Sequence, residues 1–239
     1  MTISAFLRRA GPGLLDLIFP PHCLLCDQAG TLLCGDCCQD LPRVTPPICQ
    51  LCGQPIAVPG LCRSCRRTPL DLDGIHSVFL FEDGVRKVIH RFKYANRHSL
   101  TLILARLMAD HWHSNTMSAD LLVPVPLHPA RQRERGYNQA DLLAQALGDM
   151  ISLPVVMTGF RRVRSTQSQT RLNAADRREN VQGAFAYGPR RDNILSDRRV
   201  VVIDDVCTTG STLEACSQAL KDAGASTVWG FTLARAMHQ

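Results

Sequence analysis

The chain has 239 residues, 45% of them hydrophobic and 20% charged, and carries a formal charge of +6. That length and apolar content supply one or two domains with a buried core, and exclude collagen-like, coiled-coil and largely disordered chains. Eleven cysteines against 5% aromatic residues stand out, and nine of the eleven lie between Cys23 and Cys65, with only Cys207 and Cys216 beyond. Such clustering predicts a cysteine-built module ahead of an ordinary globular domain.

Residues 1–21 begin with Arg8 and Arg9, followed by Leu14, Leu15, Leu17, Ile18 and Phe19. Asp16 interrupts the apolar run, which meets Pro20-Pro21 without a small-residue cleavage site, so a short docking segment is expected rather than a signal peptide. No stretch approaches the roughly 20 apolar residues of a membrane span. A cytoplasmic protein is expected.

Residues 22–68 hold four CxxC pairs: Cys23/Cys26, Cys34/Cys37, Cys49/Cys52 and Cys62/Cys65. Two intervening residues let a tight turn aim both sulfurs at one point, so each pair is half of a tetrahedral thiolate site for Zn²⁺. Four halves make two sites. Pairing neighbours gives CxxC-x7-CxxC and CxxC-x9-CxxC, the compact spacing of a zinc ribbon, and is preferred for its shorter loop closure. A cross-braced pairing satisfies the same count, and Cys38 is an alternative to Cys37. A disulfide framework and redox chemistry are the competing readings; nothing indicates secretion, and four pairs exceed what redox catalysis needs. Sites closed by four thiolates are structural, and they would fold a segment of about 45 residues too small to bury its own core.

After residues 66–73 the pattern becomes that of an α/β domain, expected over residues 75–239. Residues 75–82 (IHSVFLFE) alternate as a strand, and Asp83-Gly84 marks a turn. Val85, Val88, Ile89 and Phe92 recur at helical spacing, as do Leu100, Ile103, Leu104, Leu107 and Met108. Strands are expected over 120–126, 155–158, 200–203 and 226–234, with helices over 139–150 and 214–223. That order implies a parallel, helix-covered sheet with ligands at the carboxyl ends of its strands. His90, His98, His111 and His113 lack a recognisable ligand spacing and read as surface or helix-packing residues.

Residues 200–212 read VVVIDDVCTTGST. Four β-branched residues make a buried strand, Asp204 and Asp205 stand at its end, and Thr208, Thr209, Gly210, Ser211 and Thr212 lead into a helix. Backbone N–H groups, four hydroxyls and a positive helix end suit a phosphate monoester. Gly210 permits close approach or a positive φ. The paired carboxylates suit vicinal ribose hydroxyls and Mg²⁺, held directly or through water.

These residues resemble the signature of type I phosphoribosyltransferases, which bind 5-phosphoribosyl 1-diphosphate (PRPP). The resemblance implies that Asp204 and Asp205 hold the ribose hydroxyls and that Cys207, Thr208, Thr209, Gly210, Ser211 and Thr212 hold the 5-phosphate. Residues 121–147 (LLVPVPLHPARQRERGYNQADLLAQAL) and 161–185, with LLDLIFPPHCLLC before the cysteine pairs, look like the ComF/GntX family. That resemblance implies a double zinc ribbon fused to a type I phosphoribosyltransferase fold. It implies a diphosphate-binding loop at Leu127, His128, Pro129, Ala130 and Arg131, with Arg135 to Gln139 beginning the next helix. It further implies a mobile catalytic loop over 161–185, where Arg164, Thr166, Gln169, Arg177 and Asn180 would close on diphosphate or acceptor. Arg164, Gln169 and Arg177 are the catalytic candidates. The residues agree in kind: positions 161–178 carry six arginines and one acid, Asp176.

The family implies a role in uptake or use of DNA, with PRPP and Mg²⁺ as ligands and single-stranded DNA, a DNA-uptake helicase or another competence protein as partners. One reading is an enzyme moving phosphoribose to a nucleic-acid-derived acceptor; the other is a non-catalytic binding protein that keeps the pocket as a sensor. The position of Thr208 carries an aspartate base in some purine-salvage relatives of the signature, which argues against 6-oxopurine salvage. Residues 85–98 hold five Lys/Arg and no acid, a pattern better explained as a core helix with a solvated basic back than as a stacking surface. Eight thiolates subtract eight charges and two Zn²⁺ add four, so the formal +6 falls to +2 and overall charge no longer points to nucleic acid.

Overall fold

Residues Val200, Val201, Val202 and Ile203 are all buried, as a strand covered on both faces requires. They belong to β5 (Arg199–Cys207), one of four parallel strands in the order β1 (Gly74–Leu80), β6 (Thr227–Arg235), β5, β2 (Leu121–Pro124). The computed structural model describes residues 20–94, 97–164, 181–188 and 193–237. The expected docking segment up to residue 19, and Thr166, Gln169, Arg177 and Asn180, lie outside them.

The chain divides into two compact units between Leu41 and Pro42, so the boundary falls between the two cysteine sets. The first unit carries Cys23, Cys26, Cys34 and Cys37 and one short helix, α1 (Gly35–Asp40), whose N-cap is Cys34. The second unit carries Cys49, Cys52, Cys62 and Cys65, helix α2 (Arg63–Arg67) and the whole sheet.

Alternation along β5 and β2 sends Val200, Val202, Leu121 and Val123 to one face, where they share a core with Leu213, Cys216 and Leu220 of α7 (Ser211–Asp222). Leu122, Val201 and Ile203 point the other way, toward α6 (Gln139–Ile151), which packs on β2, β5 and α4 (Arg97–Ser114). In α6, Ala140, Leu143, Ala144 and Leu147 form a buried stripe at helical spacing, and Asn138 caps the first turn by accepting from the Ala140 N–H. Each fully buried Leu or Val of these layers contributes about 1.5–3 kcal/mol. The basic helix α3 (Asp83–Tyr94) buries Val85, Val88, Ile89 and Phe92, as its spacing predicts. His111 stacks on Phe231 at 5.8 Å, and burial pushes its pKa down to about 4.

Three sequence expectations need correction. Residues 155–158 form no strand: Val155 makes a single parallel bridge to Leu122, the Leu122 N–H donating to Pro154 O and the Val156 N–H to Leu122 O, and the chain bends away at Thr158 and Gly159. The stretch 161–185 is not loop at its two ends; β3 (Phe160–Arg162) pairs antiparallel with β4 (Phe185–Tyr187), and Phe160 stacks on Phe185. The segment after β2 is not an open loop followed by a helix from Arg135. It contains a separate short helix, α5 (Pro129–Arg135), ended by Gly136 at φ +75°, and α6 starts only at Gln139.

Candidate functional site

The carboxyl ends of β2 and β5 are neighbours, and the chain leaves them in opposite directions, toward α6 and toward α7. A crevice opens where such crossovers diverge. Here it is a cleft of about 440 Å³ walled by Val125, Pro126 and Leu127 on one side and by Asp204, Asp205, Thr208, Gly210 and Thr212 on the other. Four cations, Lys93, Arg131, Arg135 and Arg162, reach it against the two carboxylates. A polyanion that also presents hydroxyls meets both kinds of partner there.

Asp204 is half-buried in β5 between the buried Ile203 and Asp205. Burial, reinforced by the charge of Asp205, pushes its pKa up to about 7, and its Oδ1 accepts the Asp205 N–H at 2.8 Å. Asp205 pairs with Lys93 at 3.0 Å. In the following turn the Thr209 and Ser211 hydroxyls lie 2.8 Å apart, and Thr209 Oγ1 accepts the Ser211 N–H at 3.3 Å. Gly210 sits at φ +87° before α7; a Cβ there would stand 2.9 Å from Leu70 Cδ1. The loop therefore needs glycine both for its conformation and for its packing.

Most residues nominated from the sequence meet at this cleft: Asp204, Asp205, Cys207, Thr208, Gly210, Thr212, Leu127 and Arg131 line it. Thr209 and Ser211 are spent on the turn's own hydrogen bonds. His128 serves as N-cap of α5, its Nδ1 accepting the Ala130 N–H at 3.3 Å. Arg164 is exposed, two residues beyond β3. Lys93 and Arg162 were not singled out by sequence, and Arg135 was placed only as a helix start. Arg162 lies over the Phe185 ring at 5.4 Å, which holds its guanidinium at the cleft edge.

Each cysteine set gathers its four sulfurs within 4.8 Å of one another, neighbour pair with neighbour pair, and Cys37 rather than Cys38 completes the first. A tetrahedral ion with Zn–S bonds of about 2.3 Å places its sulfurs about 3.8 Å apart. The Cys26–Cys34 and Cys52–Cys62 sulfur separations are 3.6 and 3.8 Å. The Cys34 N–H donates to Cys23 Sγ at 3.5 Å and the Cys62 N–H to Cys49 Sγ at 3.3 Å, a pattern that stabilises thiolates. Both sets fit structural Zn²⁺.

Residues 14–66 match the double zinc ribbon domain and residues 133–239 the phosphoribosyl transferase domain. Over 211 residues the chain is 34% identical to Competence protein F of Haemophilus influenzae, spanning 85% of this chain and 90% of that protein. The chain belongs to the ComF family. This ComF-family protein is also 32% identical to DNA utilization protein YhgH of Salmonella typhimurium (92% of this chain, 100% of that protein), and 29% identical to Competence protein ComFC of Bacillus subtilis (95% and 99%). Among solved structures it is similar to the glutamine PRPP amidotransferase of B. subtilis, with 17% identity and a TM-score of 0.40, over 59% of this chain and 30% of that one. Asp204, Asp205 and the 208–212 turn of the ComF-family protein lie within its phosphoribosyl transferase match, and both cysteine sets within its double zinc ribbon match. Among the described residues, no helix is long and apolar enough to cross a membrane.

Proposed function

We propose that this ComF-family protein binds PRPP with Mg²⁺ in the cleft and acts in the handling of incoming DNA, moving phosphoribose to a nucleic-acid-derived acceptor. The observation that carries the reading is the junction of two adjacent carboxylates, Asp204 and Asp205, with a hydroxyl-rich turn at the start of α7, opposite Lys93, Arg131, Arg135 and Arg162. Asp204 and Asp205 would accept from the ribose 2- and 3-hydroxyls and hold Mg²⁺ directly or through water, and the ion would supply neutralising charge for the diphosphate. Thr208, Gly210 and Thr212 would seat the 5-phosphate, helped by the helix N-terminus. The arginines would neutralise the leaving diphosphate while the ribose becomes oxocarbenium-like. Arg164, Gln169 and Arg177 would close over the diphosphate from the 161–185 stretch. Thiolate sites survive in a reducing compartment, which supports a cytoplasmic location.

The DNA role rests on the relatives, whose names speak of competence and DNA utilization. Single-stranded DNA or a helicase of the uptake machinery would be the partner. A second reading is that the pocket senses PRPP and the protein only binds DNA or its partner, since Asp204, Asp205 and the 208–212 turn favour ligand binding with or without turnover.

The test is diphosphate release from PRPP and Mg²⁺ with single-stranded DNA or free bases, for wild type and the Asp204→Ala/Asp205→Ala double variant. Acceptor-dependent release that vanishes in the double variant supports the enzyme. Tight PRPP binding without release from any acceptor supports the sensor, and absence of PRPP binding overturns both.

A further inference from the structure

Arg235, the last residue of β6, is 1% exposed and is among the largest fully buried side chains of the molecule. A guanidinium at that depth needs anionic or polar partners. The sheet register sets it beside Cys207, and its Nη1 donates to Cys207 Sγ. Its Nε is buried without a hydrogen-bond partner among the described residues. Cys207 directly precedes the Thr208 to Thr212 turn, so one end of the guanidinium holds the root of that turn.

The cluster that contains Cys207 also holds metal ligands. Cys49, Cys52, Cys62 and Cys65 are all buried, and they share one apolar cluster with Cys207, Leu70, Ile75 and Leu213. Four thiolates around a divalent ion carry a net charge of −2, costly away from water without a compensating cation. Burial alone would depress the Arg235 guanidinium, yet Cys207, Cys52 and Cys65 together hold it above its ordinary value. The first cysteine set differs, since Cys26 is exposed and Cys37 partly so, and water can screen its charge. Packing follows the same route. A Cβ on Gly53, in the Cys52-Gly53 knuckle, would stand 2.3 Å from the Ile75 carbonyl oxygen, and one on Gly210 would stand 3.2 Å from Ile75 Cδ1. Ile75 thus touches the metal knuckle at one end and the turn at the other.

We propose that Arg235 is a positioning residue that couples the second four-cysteine site to the 208–212 turn, so that a zinc-loaded site and an anion-occupied turn stabilise each other. The coupling rests on the reading of residues 208–212 as a phosphate site. Its sign follows from magnitudes. A like-charge repulsion between thiolates and phosphate, with a guanidinium close by, is weak at a high effective dielectric. A structural zinc site contributes far more to folding than that repulsion takes away, and its loss would release Leu70 and Ile75 from Gly210. Removing the guanidinium leaves the repulsion uncompensated and detaches Cys207.

Linkage makes the coupling readable from the metal side. The full-length protein carrying Cys26→Ser and Cys37→Ser reports zinc from the second site alone, by transfer to a colorimetric chelator with and without PRPP and Mg²⁺. PRPP is expected to slow zinc loss about tenfold in this background, by less than about twofold with Arg235→Met, and by an intermediate factor with Arg235→Lys, whose single ammonium cannot serve both ends. Protection in Arg235→Met equal to that of the parent overturns the coupling, as does equal protection in Arg235→Lys, which decides the matter where Arg235→Met does not fold. PRPP binding by calorimetry without any protection of zinc overturns it as well. Failure of the parent to bind PRPP overturns the phosphate-site reading and the coupling together, an outcome distinct from the others.

Discussion

Lys93 Nζ stands 3.0 Å from Asp205 Oδ2, joining the end of α3 to the end of β5. The lysine also lowers the proton affinity of Asp204, opposing burial and the Asp205 charge. Lys93→Met should therefore raise the Asp204 pKa further. The pH profile of PRPP–Mg²⁺ affinity should move toward higher pH in that variant, measured by calorimetry between pH 5.5 and 9, a range of about 1.5–2 units either side of the wild-type value. An unmoved profile would mean that Asp204 does not govern ligand binding.

Asp204 itself gives a prediction of sign. Its folded-state value of about 7 lies above the ordinary carboxylate value of 3.8, so between the two the folded protein holds a proton that the unfolded chain has lost. Stability contributed by the protonated group is present below the unfolded value and is lost as pH rises through the folded one. Asp204→Asn should raise the Tm at pH 8 while leaving it nearly unchanged at pH 4. Ligand that needs the ionised acid should release a proton on binding at pH 6, visible as a buffer-dependent heat. The same substitution should weaken PRPP binding about 10- to 100-fold by removing a charged acceptor.

Gly210 predicts a combined loss. With φ at +87° and Leu70 Cδ1 2.9 Å from the would-be Cβ, Gly210→Ala strains the backbone and displaces Leu70. A cost of about 1–2 kcal/mol is expected in denaturant unfolding. PRPP affinity should fall with it. Gly183, also at positive φ but with nothing within 4 Å of its would-be Cβ, should lose stability on substitution by alanine and leave PRPP affinity unchanged.

Metal analysis should return two zinc ions per chain. Cys26→Ser and Cys52→Ser should each remove one, with unequal consequences. Cys52 is buried in the cluster that contains Cys207 and Leu213, so its loss should lower the main unfolding transition of the sheet-bearing unit. Cys26 belongs to the other compact unit, and its loss should leave that transition in place. Equal shifts in both variants would contradict the division at Leu41 and Pro42.

The parts of this protein legible in its sequence are those whose signal is local. Residues 200–212 announce strand, acids and turn within one short run, and the CxxC spacings announce their sites for the same reason. Lys93 and Arg162 escaped notice because each reaches the cleft from a separate element: Lys93 looked like one more charge on the solvated side of a helix, and Arg162 belongs to a strand of three residues. His128 looked like a ligand contact, yet a polar residue before Pro129 is also an N-cap signal. Arg235 closes an apolar strand, and the reason a charge is tolerated there lies in Cys207, Cys52 and Cys65, far apart in sequence.

The strand order has a consequence for how the molecule is made. The sheet runs β1-β6-β5-β2, so its two outer strands are synthesised first and its two central strands last. An emerging chain holds two borders with nothing between them, and neither can pair until β5 and β6 have left the ribosome. Cooperative assembly of this sheet therefore waits for β6, and its early strands must be kept from wrong partners until the centre arrives.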